Sequence, residues 1–230
     1  MKPIRGKILS QIALWLLPVS TAVSLYFVYS SVPDKTMGEA VKIFYLHFPI
    51  ALFSLVALLL AGIFGGIYLR KRHLLYDALS ASSAEVGLLF LTLTLLTGMV
   101  WAKTAWGFWW TWDPRLTSVL ILWLLYMGYF ALRSGIDNAD LRARICAVAS
   151  ITFALDLPII HFAPRIWKGI HPVVVKGITR IDLGHPSMFS ALFSMMFTIL
   201  LFGMLILLTR YHIAFLELHL LKQKQEERMI

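Results

Sequence analysis

One cysteine, Cys146, stands in 230 residues. A single thiol cannot close an internal disulfide, and no C-x-x-C-H stretch offers an attachment point for c-type haem. A disulfide-built domain and a c-type cytochrome are thereby excluded, and Cys146 reads as a small packing residue. No G-x-x-x-x-G-K-[ST] loop occurs, so any ATP-driven step would have to sit on a partner. Internal repeats and low-complexity segments are missing as well. Charge is scarce: Asp, Glu, Lys and Arg make up 14% of the chain, against about 25% in a soluble domain.

What the chain has instead is apolar surface. Hydrophobic residues are 59% of the total and the mean hydropathy is +0.77. They fall in six unbroken runs, 8–29, 48–69, 78–101, 116–132, 145–162 and 188–208. A bilayer core takes roughly 20 apolar residues per helix, and the runs lack the alternation of a membrane barrel. The first run is too long for a removed signal peptide and has no small-residue cleavage site. The expectation is an all-α integral membrane protein with six transmembrane helices in one domain, residues 1–230.

Lys and Arg in short loops set the orientation. Thirteen fall on the side of the N-terminus, the 70–72 turn, the 133–144 loop and the tail 210–230; eight fall on the other. The larger set should be cytoplasmic, with both termini inside. Segments 30–47, 102–115 and 163–187 then face outward.

The second of these carries the densest signal. "WAKTAWGFWWTWDPRLTSVL" puts five tryptophans into residues 101–112 and follows them with Asp-Pro-Arg. Trp106, Trp109, Trp110 and Asp113 are spaced i, i+3, i+4, i+7, which predicts a short helix with all four on one face. Trp112 flanks that face, and Pro114 can open the next helix. An interfacial aromatic belt is the ordinary use of membrane tryptophan. A contiguous field of indoles beside a guanidinium better suits a large flat ligand bearing carboxylates.

Of seven histidines, His47, His161, His171 and His185 lie at or near the same outer side, with His47 at the opening of the second helix. Imidazole is a common axial ligand of haem iron, and haem is flat, apolar and doubly carboxylated. Elsewhere the readings are structural. Asp156 should be hydrogen-bonded within the bundle, and Glu85 should suit the first turn of the third helix. Gly62, Gly65 and Gly66, with Ala61, should let helices approach closely, and the tail should continue the sixth helix.

"WGFWWTWDPRLTS" resembles the tryptophan-rich (WWD) signature of the haem-handling proteins of cytochrome c maturation, W-G-x-W-W-x-W-D-x-R-L-T. Trp106, Gly107, Trp109, Trp110, Trp112, Asp113, Arg115, Leu116 and Thr117 stand at matching positions. "IFYLHFP" and "LDLPIIHF" are similar to the segments at the second and fifth helices of the small members, the haem exporter protein C or CcmC type. The resemblance covers essentially the whole chain.

The resemblance implies that haem b is held transiently on the periplasmic face, against the Trp-rich segment 101–117. It implies axial ligation by His47 and by His171, where "RIWKGIH" follows the family's Trp-x-x-x-His run. A proline after His171 and the poorly matching "PVVVKGITRIDLGHP" keep His185 and His161 open as substitutes. Trp106, Trp109, Trp110 and Trp112 would supply stacking area, Arg115 would grip a propionate, and Asp113 would orient Arg115 or an indole, or meet the acceptor. The partners implied are a periplasmic haem chaperone, an ABC-type ATPase with its membrane subunit, and the surrounding lipid of a bacterial inner membrane, with no nucleic acid. The role is haem handling rather than catalysis. A b-type cytochrome with permanent haem and a permease subunit without haem are the alternatives.

Overall fold

A computed structural model describes residues 3–167, 175–176, 180–181 and 183–227. It consists of helices α1 (Pro3–Ser30), α2 (Val41–Lys71), α3 (Leu74–Trp106), α4 (Pro114–Ser134), α5 (Ala139–Ala154), α6 (Asp156–Ile166) and α7 (Pro186–Glu227). A short antiparallel pair, β1 (Val175–Lys176) with β2 (Arg180–Ile181), precedes α7. Five helical stretches are long and apolar enough to cross a membrane, α5 and α6 together forming one of them; α1 adds a shorter apolar stretch, Trp15–Ser30. The six-span helical expectation holds.

α2 is the axis of the bundle, packing along α3, α5 and α7, while α1 leans on α7. Small residues permit the close approach of α5 to α2. A Cβ at Gly65 would stand 2.5 Å from the Ser150 hydroxyl, and one at Gly62 would stand 3.0 Å from Ala154 Cβ. Gly66 is looser, at 4.0 Å from Ile151, so the close approach belongs to Gly62 and Gly65. Gly65→Val should push α5 away at a cost of about 1–3 kcal/mol. A thermal unfolding midpoint equal to wild type would show that the two helices do not pack there.

Several polar side chains inside the apolar bundle are paired across helices. Ser24 meets Thr198 at 2.8 Å, Ser80 donates to the Ala61 carbonyl at 2.8 Å, and the Trp123 indole donates to Thr92 at 2.9 Å. Asp77 and Arg133 form a two-pronged ion pair at 2.8 and 2.7 Å between α3 and α4. Cys146 is buried against the core, as expected of a packing residue.

Three details differ from the sequence reading. Glu85 is not in a first turn, because α3 begins at Leu74; it pairs instead with Arg210 on α7. Asp156 is not hydrogen-bonded through Oδ2 among the described residues. It stands in the first turn of α6, where the fifth span breaks at Leu155. Pro158 explains the break, since it cannot donate to the carbonyl of Ala154.

The long α7 has 42 residues, about 63 Å at 1.5 Å per residue, twice a bilayer core of about 30 Å. Part of it therefore exceeds a single span, and the charged residues Lys222, Lys224, Glu226 and Glu227 fall in its last turns.

Candidate functional site

The end of α1, the start of α2, the end of α3 and the start of α7 converge on one apolar cluster. Val41, Phe44, Tyr45, Trp101, Met188 and Leu192 are among its buried members. This is the end of the bundle from which the tryptophan-rich segment emerges.

His47 lies here, 8% exposed. It does not open α2 but sits in its second turn, because the helix starts earlier, at Val41. One face of α3 clamps the ring. Thr97 Oγ1 is 3.0 Å from Nδ1, and Trp101 stacks on the imidazole with centroids 5.6 Å apart and planes 29° from parallel. Gly98 leaves the room, since a Cβ there would stand 3.0 Å from Cε1. Beside this histidine, a hollow of about 470 Å³ opens between α2 and α3, lined by Lys42, Ile43, Leu46, Leu96, Thr97 and Val100. Sequence reasoning missed Thr97 and Gly98. "LTGMVW" puts 97, 98 and 101 on one helical face, but nothing local links that face to residue 47.

The short helix expected over 106–113 is not formed. Gly107 takes φ 86°, its N–H closes on the Lys103 carbonyl, and α3 ends there. Residues 107–113 are non-helical, so the i, i+3, i+4, i+7 spacing does not lay Trp106, Trp109, Trp110 and Asp113 on one face. Trp106 folds back on Trp101, with centroids 5.1 Å apart, and Phe108 stacks on Trp106 at 6.3 Å. Trp110 meets Trp112 edge to face at 5.8 Å. Trp109 and Trp112 remain open, 56% and 74% exposed. The indoles form an anchored inner pair and an exposed outer rim rather than a single helical face.

Asp113 is buried and caps α4: its Oδ1 accepts the Arg115 backbone N–H at 2.9 Å, with Pro114 in the first helical position as expected. Asp113→Asn should keep this cap, whereas Asp113→Ala should cost about 0.5–2 kcal/mol. Equal unfolding midpoints for the two variants would mean that the cap contributes nothing.

Arg115 reaches across to α6. Its Nε donates to the Ile160 carbonyl at 3.2 Å and its Nη2 to the His161 carbonyl at 3.3 Å. The helical partner of Ile160 O would be the N–H of residue 164, which is proline and has none. The guanidinium thus satisfies a carbonyl that the helix cannot, and adds positive charge near the negative end of α6.

The remaining histidines differ in what they do. His161 is exposed on α6, edge to face with Phe162 at 4.9 Å. His185 precedes α7, where its Nδ1 accepts the Ser187 N–H at 3.2 Å and lies 2.9 Å from the Ser187 hydroxyl. His171 lies outside the described residues.

The turn before α2 is built on Asp34. Partial burial would raise its pKa, but the Thr36 hydroxyl and the nearby backbone amides outweigh this and hold the carboxyl below its usual range. Lys42 is held in turn by Glu39 at 2.8 Å and by the Tyr29 carbonyl at 3.1 Å.

Residues 3–228 match the family described as Heme exporter protein C. Proteins named Heme exporter protein C from Bradyrhizobium diazoefficiens and Paracoccus denitrificans are 39% and 37% identical over 150 and 156 residues, 65% and 66% of this chain. That of Escherichia coli K12 is 34% identical over 152 residues, again 65% of the chain. The matched stretches span 57%, 63% and 59% of those three relatives.

Proposed function

Because the chain belongs to the Heme exporter protein C family, we propose that it binds haem where His47 meets the Trp-rich segment and hands it to a periplasmic haem chaperone. One observation carries this reading: a clamped imidazole and an exposed indole rim emerge at the same end of the bundle. Haem b is the cargo. Its iron calls for imidazole nitrogen, which His47 supplies from the bundle and His171 from the last outer segment. At His185, Nδ1 accepts the Ser187 N–H, so a neutral ring carries its proton on Nε2, which supports His171 over it. Trp106, Trp109, Trp110 and Trp112 offer stacking area. Arg115 supplies positive charge for a propionate while it holds α6, and Asp113 acts by capping the helix that carries Arg115.

The chain works in this reading as a handling subunit of a bacterial inner-membrane complex, both termini cytoplasmic, with an ABC-type ATPase and its membrane subunit as partners. Reporter fusions after Leu75 and after Thr111 should read inside and outside respectively; the opposite pattern would place the site on the wrong side. The burial of His47 is a feature that a permanent b-type cytochrome would share. The exposure of Trp109 and Trp112 is one that it would not need.

The test is the absorbance spectrum of the protein purified from haem-producing cells. Histidine-ligated haem is expected, and a haem-free preparation would overturn the reading. Within it, His171→Ala should lower occupancy or alter the axial spectrum, while His185→Ala should not. The reverse result would move the second ligand to His185.

A further inference from the structure

We infer that Thr97 is a positioning residue that fixes the tautomer of His47, keeping the proton on Nδ1 and leaving the Nε2 lone pair for iron. The assignment follows from where one hydroxyl proton can go. Thr97 Oγ1 lies 2.7 Å from the Leu93 carbonyl, one helical turn back. A carbonyl only accepts, so the hydroxyl proton is directed there. The oxygen then faces His47 Nδ1, 3.0 Å away, with a lone pair, and Nδ1 must donate. A neutral imidazole carries one N–H, which leaves Nε2 as the unprotonated nitrogen.

His73 and His185 show the opposite arrangement. In each, Nδ1 accepts a backbone N–H at 3.2 Å, from Leu75 and Ser187 respectively, so a neutral ring there carries its proton on Nε2. His47 is thus prepared for ligation through Nε2 in a way that these two are not. Metal-binding histidines commonly donate their second N–H to a fixed acceptor, which sets both tautomer and ring orientation. Here the acceptor is a hydroxyl polarised by a backbone carbonyl, with Trp101 fixing the plane of the ring and Gly98 making room for its edge.

This inference rests on the reading of His47 as a haem-binding residue, but its test does not require haem. Haem-free protein carrying ¹⁵N-labelled histidine, held in lipid nanodiscs, is examined by long-range proton–nitrogen NMR, with His47→Gln identifying the signal. The expected pattern is a protonated Nδ1 and an unprotonated Nε2. Thr97→Val should abolish that preference and weaken haem binding by about 10–100-fold, and Thr97→Ser should restore both. A proton on Nε2 in the wild type, or a Thr97→Val protein with unchanged tautomer and affinity, would overturn the inference. If the tautomer is as expected but added haem does not bind, the functional reading fails while the tautomer assignment stands.

Discussion

His47→Ala should strip most of the haem from the purified protein while leaving the bundle folded. The imidazole is the sequestered half of the proposed site, held on one side by Thr97 and on another by Trp101. No other described histidine is clamped by that face of α3. Alanine removes the nitrogen ligand and leaves a small cavity against Trp101, so some loss of stability accompanies the loss of haem. The unfolding midpoint should therefore be read beside the spectrum. Trp112→Ala is the contrast. Its indole is 74% exposed and contributes one aromatic contact, worth about 0.5–1.5 kcal/mol beyond burial, so that variant should keep haem at reduced occupancy. A His47→Ala protein with wild-type haem content would remove His47 from the ligand set.

The largest effect on stability should come from the other end of the bundle. The side chains of Arg133 and Asp77 are 18% and 9% exposed, so the pair is mostly withdrawn from water. Arg133→Met leaves the Asp77 carboxylate without its partner, and breaking a buried pair in this way costs about 3–5 kcal/mol. Replacing both partners, Asp77→Leu with Arg133→Met, should recover most of that loss, because no uncompensated charge remains. Denaturation in detergent checks both variants. Wild-type stability in Arg133→Met alone would show that the pair is hydrated. What folds of either variant should bind haem normally, since the site lies at the opposite end.

The spans were legible in the sequence because each is an apolar run of membrane length; their ends were not. α2 starts at Val41 rather than near residue 48, and α3 at Leu74 rather than near 78. In both cases mixed-polarity residues continue the helix past the apolar run. The break at Leu155 had a signal, Pro158, that an unbroken hydrophobic run concealed. The tryptophan segment shows the opposite error. Its helical spacing was genuine as a pattern, but Gly107 in a left-handed turn ends the helix before the pattern can be used. Asp113 and Arg115 could be picked out by type, whereas their bonds, to a backbone N–H and to α6, depend on tertiary neighbours. The Thr97–His47 contact joins residues 50 positions apart. Residue identity pointed to His47, and only the packing of α2 on α3 supplies its partner.

Handling, as opposed to permanent holding, is the central claim, and haem transfer tests it most directly. The haem-loaded protein, purified and immobilised in detergent, is mixed with an excess of the haem-free soluble domain of the proposed periplasmic chaperone from the same source. Absorbance of both fractions is then followed over time. Haem is expected to leave this chain and appear on the chaperone, with no transfer from His47→Ala because it carries little to give. Haem that stays on the protein while the chaperone remains empty would contradict the account and identify a resident b-type haem instead.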